Sequence, residues 1–322
     1  MEINSIRPKT LQEGQRSAYM KDVEFYQNQI DLFIDRNCPC CNSKGNTGFT
    51  QKDGFKYSQC RACHTIYMNP APPKQVVEKL YEISQNYQYW SKYIYPISKE
   101  ARMKSLHSVR SMWVFDSLTK EFPDKKYFSI LEIGAGTGDT LRSLLDSFPD
   151  TFSVTAFEPN PSMNSALEEN GISQIRSIGP IMQNPDSKYD AILAFEVLEH
   201  LLDPLDLMIT LKHNLKEGGL FLATTPNSQS LEVQFLKEKS TTLDIEHITL
   251  LSSASVHALA RLSGLSVLEI TTPGELDLEL LSDGSIKLSV LRDYENINKS
   301  EFQEMISQSG LSSHQRLILK KP

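Results

Sequence analysis

The stretch Leu131-Glu-Ile-Gly-Ala-Gly-Thr-Gly138 decides how this chain folds. An apolar run over residues 128–133 enters it, and a helix-like segment over residues 139–148 follows it. Glycine lets the backbone turn tightly and lets a ligand lie against bare main chain, and the free N–H groups at the start of the helix then face that ligand. The stretch therefore predicts a strand, a nucleotide-cradling turn and a helix.

The spacing of the glycines distinguishes between nucleotides. Dinucleotide-binding folds carry G-x-G-x-x-G, but Asp139 occupies the sixth place here. The pattern E-x-G-x-G-x-G resembles motif I of the class I S-adenosylmethionine (SAM) dependent methyltransferases. This resemblance implies that Glu132 lies beneath the amino group of SAM. It also implies that the loop lines the methionine half of SAM through Gly134, Ala135, Gly136 and Gly138.

Later blocks of the sequence follow in the order of that family. A second apolar run, residues 152–157, ends in Glu158-Pro159. A carboxylate at the end of the second strand can accept both ribose hydroxyls, although a surface charge at a strand end is the alternative. Residues 189–195 and 216–227 match the fourth and fifth strands. The resemblance covers about residues 125–322 and extends the implied cofactor site to Pro159, Phe195 and Glu196.

All five cysteines lie between positions 38 and 63. They include two C-x-x-C pairs, 38–41 and 60–63, and this spacing indicates a zinc site in which two thiolate pairs close a tetrahedron. Lys52-Asp-Gly54 between the pairs is a hairpin signal. We therefore expect a zinc ribbon, with Cys40 as a spare thiol and a structural Zn²⁺ on Cys38, Cys41, Cys60 and Cys63. A redox pair or a thiol cluster used only for interaction is the alternative.

Residues 72–122 join the ribbon to the glycine loop. They carry an aromatic run made of Tyr81, Tyr87, Tyr89, Trp90, Tyr93 and Tyr95. Aromatic residues at helical spacing usually pack in a core. Tyr and Trp also suit a partly solvated lid over a cofactor or acceptor, because their rings carry a polar group. Residues 101–118 predict a helix. In the methyltransferase family such a helix caps the SAM pocket, which implies that Arg102 reaches the methionine carboxylate.

Residues 196–200, Glu-Val-Leu-Glu-His, contain the candidate catalytic groups. They predict a helix on which Glu196, Glu199 and His200 share a face, because positions i, i+3 and i+4 are neighbours. His247 follows the fifth strand and precedes a helix start of the serine-cap type. Ubiquinone-pathway O-methyltransferases have a similar E-x-L-E-H block. The small-RNA 3′-end ribose methyltransferases have a similar E-x-x-E-H block and a later histidine, which implies Mg²⁺ or Mn²⁺ on all four side chains.

A metal-free mechanism stays open at the same residues. In that version His200 is the general base that deprotonates the acceptor, and Glu199 fixes its tautomer or orientation. The alternative is a purely structural role, in which His200 packs near the fourth strand. Glu196 lies near the adenosine in many relatives and is then a cofactor contact rather than a chemical participant.

Together these patterns predict an α/β fold. We expect a Rossmann-like, seven-stranded, mostly parallel sheet with helices on both faces, whose last strand is antiparallel, plus a small N-terminal zinc ribbon and linking helices. The expected sections are an N-terminal helical lead over 1–36, the zinc ribbon over 37–70, a helical linker or lid over 71–124 and a SAM-dependent methyltransferase domain over 125–322.

Composition limits the class of protein. The chain has 322 residues, a hydrophobic fraction of 39% and a net charge of −7, which suits a globular protein with one large and one small domain. The sequence has no 18-residue apolar stretch and no secretion signal at its start, so we expect no membrane span. The reduced thiols then indicate a cytoplasmic protein. The acidic balance disfavours a nucleic-acid partner, because neutralising phosphates needs a basic face.

We expect an enzyme that transfers a methyl group from SAM to oxygen, nitrogen or carbon of a small molecule, such as a sugar nucleotide or a secondary metabolite. Two alternatives stay open. One is an RNA methyltransferase whose ribbon holds RNA, and the other is a non-catalytic adaptor that binds a protein partner through the ribbon. The intact glycine motif, Glu158 and the Glu199-His200 pair favour the enzyme.

Overall fold

A computed structural model describes residues 3–160, 163–175, 188–274, 277 and 298–322. The strands are β1 Asn46–Lys52, β2 Phe55–Cys60, β3 Ile66–Met68, β4 Phe128–Ile133, β5 Phe152–Phe157, β6 Ser173–Ile175, β7 Tyr189–Phe195, β8 Leu215–Pro226, β9 Thr249–Leu250, β10 Ser266–Thr271 and β11 His314–Lys320. The α-helices are α1 Ile3–Ile6, α2 Gln12–Gln27, α3 Lys74–Ile83, α4 Gln85–Tyr89, α5 Tyr95–Arg102, α6 Ser108–Glu121, α7 Asp139–Ser147, α8 Asn164–Glu169, α9 Pro204–Asn214, α10 Leu231–Leu236, α11 Ser253–Ser263 and α12 Lys299–Gln308.

The larger sheet confirms the predicted fold class. Its seven strands stand in the order β10-β11-β8-β7-β4-β5-β6, and β11 runs antiparallel to both of its neighbours while the other pairs are parallel. The central strands are apolar almost throughout, because helices cover both faces of the sheet. Helices α6 and α7 pack on one face, and α9 and α11 pack on the other.

The smaller sheet is the ribbon, and it has the order β1-β2-β3-β9. Asp53 and Gly54 both have positive φ, 51° and 93°, in the two-residue turn between β1 and β2, as a type I′ hairpin requires. Strand β9 lies in the section predicted to be the methyltransferase domain, yet it pairs with β3 of the ribbon. The division at residues 70 and 125 stays a prediction, but the ribbon's sheet runs across it.

Apolar packing also joins the sections. One buried cluster contains Tyr19, Val23 and Tyr26 of α2 together with residues of the ribbon, of α3 and of the segment 243–250. A second cluster puts the thiols of the ribbon in contact with the core of the large sheet and with α11. Folding of the ribbon and of the segment before α11 is therefore coupled through shared buried surface.

The linker is helical over almost its whole predicted length. The α4, α5 and α6 helices follow one another with two π-helical stretches between them, Trp90–Ile94 and Met103–His107. The predicted helix over 101–118 is thus the end of a longer helical run. Within the described ranges, none of the helices combines the length and the apolar character needed to cross a membrane.

Leu250→Ala tests whether the packing of β9 stabilises the fold. Leu250 is fully buried, so we expect the variant to lose about 2–5 kcal/mol of unfolding free energy through the cavity it leaves, measured by urea denaturation followed by circular dichroism. Leu268→Ala on β10 is the control, because Leu268 is 47% exposed, and its expected loss is about 0.5 kcal/mol. Equal losses in the two variants would contradict this role of β9.

Candidate functional site

The glycine loop lies between β4 and α7. Gly134, Gly136 and Gly138 all have positive φ, at 67°, 55° and 78°, a conformation that only glycine adopts without strain. A Cβ on Gly134 would lie 2.8 Å from the Val197 side chain, and one on Gly138 would collide with the Leu167 and Ile172 side chains. A Cβ on Gly136 would meet no described atom within 4 Å. The middle of the loop therefore presents bare main chain to open space.

Glu158 lies directly against this loop. Its carboxylate accepts a hydrogen bond from the Gly136 N–H at 2.8 Å and another from the Asn160 N–H at 2.9 Å. Burial raises the pKa of Glu158, and these two bonds act in the opposite direction. Pro159 is exposed where the chain leaves β5. The structure thus brings the predicted ribose-binding carboxylate beside the predicted methionine-binding loop.

Glu132 is buried near the end of β4. One of its carboxylate oxygens, Oε2, has no hydrogen-bond partner among the described residues. Burial raises the pKa of Glu132 to about 8, although the charge of Arg110 lowers it. A buried polar atom without a partner is uncommon in native proteins. The position fits the sequence expectation that Glu132 serves the amino group of a cofactor.

Two arginines on the linker differ in what they contact. Arg102 lies over the Trp90 ring at 5.3 Å, and burial lowers its pKa. Arg110 lies over the Phe195 ring at 4.9 Å and donates to Glu196 at 2.9 Å. Because Arg110 faces the ends of the central strands, it is a site residue that the sequence pattern did not mark.

Glu196 departs from the sequence expectation. It has a φ of 57° directly after β7 and lies outside a helix, because only the short 3₁₀ turn Leu198–His200 follows it. Its carboxylate accepts from Arg110, from the Thr224 hydroxyl at 2.5 Å and from His314 at 3.1 Å. Burial opposes its ionisation, but the charges of His314 and Arg110 hold the pKa of Glu196 well below its ordinary value. The predicted shared face with Glu199 and His200 is therefore wrong.

Glu199, His200 and His247 do come together. One ligand atom from each lies within 4.8 Å of the others, and the two imidazole rings are 4.8 Å apart. Glu199 is fully buried. Its Oε2 accepts from the Thr225 hydroxyl at 3.0 Å, while Oε1 has no partner in the described part of the chain. Three of the four predicted metal ligands thus form one cluster, and Glu196 is bound elsewhere.

Backbone carbonyls orient both imidazoles. His200 Nδ1 lies 3.1 Å from the Glu246 carbonyl, and His247 Nδ1 lies 2.7 Å from the Thr242 carbonyl. A carbonyl oxygen can only accept, so Nδ1 carries the hydrogen in both rings, and Nε2 is left to face a ligand. In metalloproteins, hydrogen bonds of this kind orient the histidines that bind the metal.

The three groups perturb one another electrostatically. Burial and the charge of Glu196 raise the pKa of Glu199 to about 8. Burial and the charge of His247 lower the pKa of His200 to about 4. Burial lowers the pKa of His247, but Asp244 and Glu199 raise it to about 9. His200 is therefore neutral near pH 7, whereas nearby carboxylates favour the protonated form of His247.

The aromatic run divides into two groups. The rings of Tyr89 and Tyr93 and those of Trp90 and Tyr95 pack together, with centroids 4.8 Å and 5.2 Å apart. Tyr81 instead lies edge-on to His200, with ring centroids 6.1 Å apart. The Glu158 charge, after burial, raises the pKa of Tyr87. Packing accounts for most of the run, and Tyr81 and Tyr87 approach the candidate site.

The four predicted thiols also come together. Cys38 Sγ lies 3.5 Å from Cys63 Sγ, and Cys41 Sγ lies 3.6 Å from Cys60 Sγ, and the four sulfurs lie within 4.8 Å of one another. Zn–S bonds of about 2.3 Å in a tetrahedron put the sulfurs about 3.8 Å apart. Cys40 is buried outside this cluster. The spacing of the sulfurs therefore fits a zinc ion.

The fold, the bare glycine loop and the acidic groups at the strand ends are the features with which doubly wound sheets bind nucleotide-like ligands at their carboxyl edge. A family model described as a methyltransferase domain matches residues 99–270, which is more than half of the chain. The chain therefore belongs to this methyltransferase family. A relative from Mycolicibacterium smegmatis that is named as a probable S-adenosylmethionine-dependent methyltransferase is 31% identical over 83 residues, which cover 26% of this chain and 31% of that protein.

Similarities to individual proteins cover part of the chain. The ubiquinone biosynthesis O-methyltransferase of Rickettsia felis is 23% identical over 157 residues, which cover 48% of this chain and 62% of that protein. A malonyl-[acyl-carrier protein] O-methyltransferase of Ilyobacter polytropus is 29% identical over 128 residues, 38% of this chain and 46% of that protein. The solved plantazolicin methyltransferase has 19% identity and a TM-score of 0.49, over 77% of this chain and 98% of that chain. The chain spans about three fifths of the length of the Rickettsia relative.

Glu158→Gln tests the ribose contact. We expect SAM to bind roughly 10- to 100-fold more weakly to the variant, because a hydrogen bond to a charged group is worth about 1.5–3 kcal/mol, measured by isothermal titration calorimetry. Glu169→Gln, at an exposed position on α8, is the control and should bind as the wild type does. Unchanged affinity in Glu158→Gln would remove Glu158 from the site, and a wild-type protein that does not bind SAM would favour the adaptor.

Proposed function

We propose that this protein transfers the methyl group of SAM to a hydroxyl oxygen of a small-molecule acceptor. The observation that carries the proposal is the Glu199–His200–His247 cluster at the carboxyl edge of the sheet that holds the glycine loop. The curated names of the relatives from Rickettsia felis and Ilyobacter polytropus, both O-methyltransferases, support oxygen as the methylated atom.

The cofactor is held by the glycine loop and its neighbours. Gly134, Ala135, Gly136 and Gly138 supply the main-chain surface, and the buried carboxylate of Glu132 receives the amino group. Glu158 and Pro159 serve the ribose, and Phe195 and Glu196 border the adenosine side. The open space at Gly136 and the partnerless oxygen of Glu132 support this placement. The sulfonium supplies an activated methyl group, so the protein's tasks are alignment of the acceptor and removal of its proton.

Glu199, His200 and His247 would hold a divalent metal ion. Two imidazoles and one carboxylate suit Mn²⁺ or another first-row transition ion better than Mg²⁺, which prefers oxygen ligands. The buried oxygen of Glu199 and the two carbonyl-oriented imidazoles support a metal site. When bound, such an ion would polarise an acceptor hydroxyl and lower its pKa, so that the hydroxyl proton passes to solvent as the methyl group is transferred. The chain's own task is to keep Nε2 of each histidine facing the site.

The metal-free mechanism is less well supported by the geometry. It requires Glu199 to orient His200, but the backbone carbonyl of Glu246 holds His200 instead. Glu199 receives its hydrogen bond from Thr225. Glu199 and His200 are thus each held by a different group, as separate metal ligands are. They do not form the direct hydrogen bond that a carboxylate–histidine relay requires.

We propose that the ribbon carries a structural zinc ion on Cys38, Cys41, Cys60 and Cys63. We keep the division into a helical lead, ribbon, linker and methyltransferase domain as part of this proposal. The ribbon's sulfurs lie in the same buried cluster as the core of the large sheet, so zinc would stabilise the site's framework. A small-molecule acceptor agrees with the acidic net charge of −7, which disfavours RNA.

Cys41→Ala and Cys40→Ala form a matched test of the zinc ligands. We expect the wild type and Cys40→Ala to purify with one equivalent of zinc, because the Cys40 sulfur lies outside the cluster. Cys41→Ala should lose most of its zinc and unfold at a lower temperature, since structural zinc contributes folding energy. Elemental analysis and differential scanning calorimetry check this. A full equivalent of zinc in Cys41→Ala would overturn the assignment.

His247→Ala tests the second metal site. In zinc-loaded protein we expect Mn²⁺ to bind at least about 100-fold more weakly to the variant, because loss of a direct ligand exceeds the 10- to 100-fold cost of losing an outer contact. SAM affinity should not change. Mn²⁺ binding is measured by electron paramagnetic resonance, and methylation by assay against a panel of hydroxyl acceptors that includes a short RNA.

The control for that experiment is His257→Ala, at an exposed position on α11, which should bind Mn²⁺ as the wild type does. Removal of Mn²⁺ with a chelator should abolish methylation, and added Mn²⁺ should restore it. Full activity after metal removal would establish the metal-free mechanism in its place. Methylation confined to RNA would replace the small-molecule acceptor.

A further inference from the structure

Arg36, the last residue of the helical lead, links the two segments that carry the histidines. Its Nη1 donates to the Leu202 carbonyl at 2.7 Å, and its Nη2 donates to the Ile248 carbonyl at 3.2 Å. Leu202 lies two residues after His200, and Ile248 follows His247 directly. The guanidinium therefore spans the gap between the backbones that hold the two imidazoles.

The same guanidinium is fixed to the ribbon. Its Nε donates to the Met68 carbonyl at 3.4 Å, and its Cζ lies 5.5 Å from the centre of the Tyr67 ring. No carboxylate of the described residues pairs with it at salt-bridge distance. The described hydrogen bonds of the guanidinium therefore run mainly to backbone carbonyl oxygens. An arginine used in this way is a spacer, because its planar fork fixes the directions of several donors at once.

Thr249 makes a parallel link. Its hydroxyl donates to the Leu201 carbonyl at 2.8 Å and accepts from Arg36 Nη2 at 3.4 Å. Its strand, β9, pairs with β3 of the ribbon. The Met68 N–H also donates to the Ile248 carbonyl at 3.0 Å. The segments after His200 and around His247 are thus tied to each other and to the ribbon at adjacent residues.

We infer that Arg36 is a positioning residue that sets the separation of His200 and His247, with Thr249 as its partner. The inference rests on the proposed metal site, because it assigns to Arg36 the spacing of that site's ligands. Arg36 contacts neither the glycine loop nor the acidic groups described around it. Its loss should therefore weaken metal binding while leaving SAM binding intact.

Arg36→Lys tests this inference in the full-length, zinc-loaded protein. A lysine keeps the positive charge but cannot direct separate donors along the two carbonyl directions. We expect Mn²⁺ affinity, measured by electron paramagnetic resonance, to fall 10- to 100-fold, as for other outer-shell partners of a metal site. SAM affinity should change by less than twofold. Arg16→Lys is the matched control, because the 58%-exposed Arg16 side chain pairs with Asp53 of the hairpin and lies over the Tyr19 ring, and its Mn²⁺ affinity should not change.

Thr249→Val provides a second, nearly isosteric variant should Arg36→Lys fail to fold. It removes the hydroxyl that donates to Leu201, and we expect a 3- to 10-fold loss of Mn²⁺ affinity with the SAM affinity unchanged. Wild-type Mn²⁺ affinity in a folded Arg36→Lys or Thr249→Val protein would overturn the positioning role, while the metal site itself would stand.

Hydrogen–deuterium exchange in metal-free, zinc-loaded protein separates this inference from the proposed function. In Arg36→Lys, amides of residues 200–203 and 246–252 should exchange faster together, while those of the large sheet keep wild-type rates. Unchanged exchange in these two segments would overturn the link whether or not Mn²⁺ binds. If the wild type binds no Mn²⁺ but both segments exchange faster in Arg36→Lys, the metal site would be contradicted and the link between the segments would be supported.

Discussion

Parallel pairing of the central strands is the constraint on which the site depends. Strand β4 pairs with β5 and with β7, so that Ile133 stands opposite both Phe157 and Ala194 at the carboxyl ends. The chain leaves each of these strands at one edge of the sheet, and the glycine loop, Glu158 and Glu196 follow immediately. Residues as far apart in the sequence as Gly134 and Glu196 lie at this edge because the hydrogen-bond register of the strands, not chain proximity, places them.

The second constraint is the coupling of the ribbon to that edge. A ribbon of this size has little core of its own, and here it gains one from its contact with α2, α3 and the segment before α11. The ribbon in turn holds the segment before α11 in place. Tyr57 of the ribbon donates to the Asp244 carbonyl at 2.7 Å, and the Asp244 side chain accepts from the N–H groups of Glu246 and His247 at 2.8 Å. The loop that carries His247 is therefore held by a section remote in sequence.

Burial of carboxyl groups is the energetic cost of this arrangement. Glu132, Glu199 and Glu246 are carboxyl groups whose pKa burial raises, to about 8, 8 and 7, and Glu132 and Glu199 each have a buried oxygen without a described partner. Such groups destabilise a fold unless a ligand satisfies them. Their location at one sheet edge, rather than scattered through the core, is what distinguishes a binding site from poor packing.

The sequence by itself determined the elements that depend on local chemistry. The predicted strands 128–133, 152–157 and 189–195 are the observed ones, the hairpin turn forms at Asp53-Gly54, and the two C-x-x-C pairs converge. Apolar runs, glycine spacing and thiol spacing are patterns of a few neighbouring residues, so they can be recognised in the sequence alone. Only the tertiary structure decided that Glu196 turns away to Arg110 and His314, because its φ of 57° ends the expected helix. The link from Arg36 to the backbone beyond His200 and His247 could not be predicted from the sequence either. It consists of hydrogen bonds to carbonyl oxygens, which every residue carries and no sequence pattern marks.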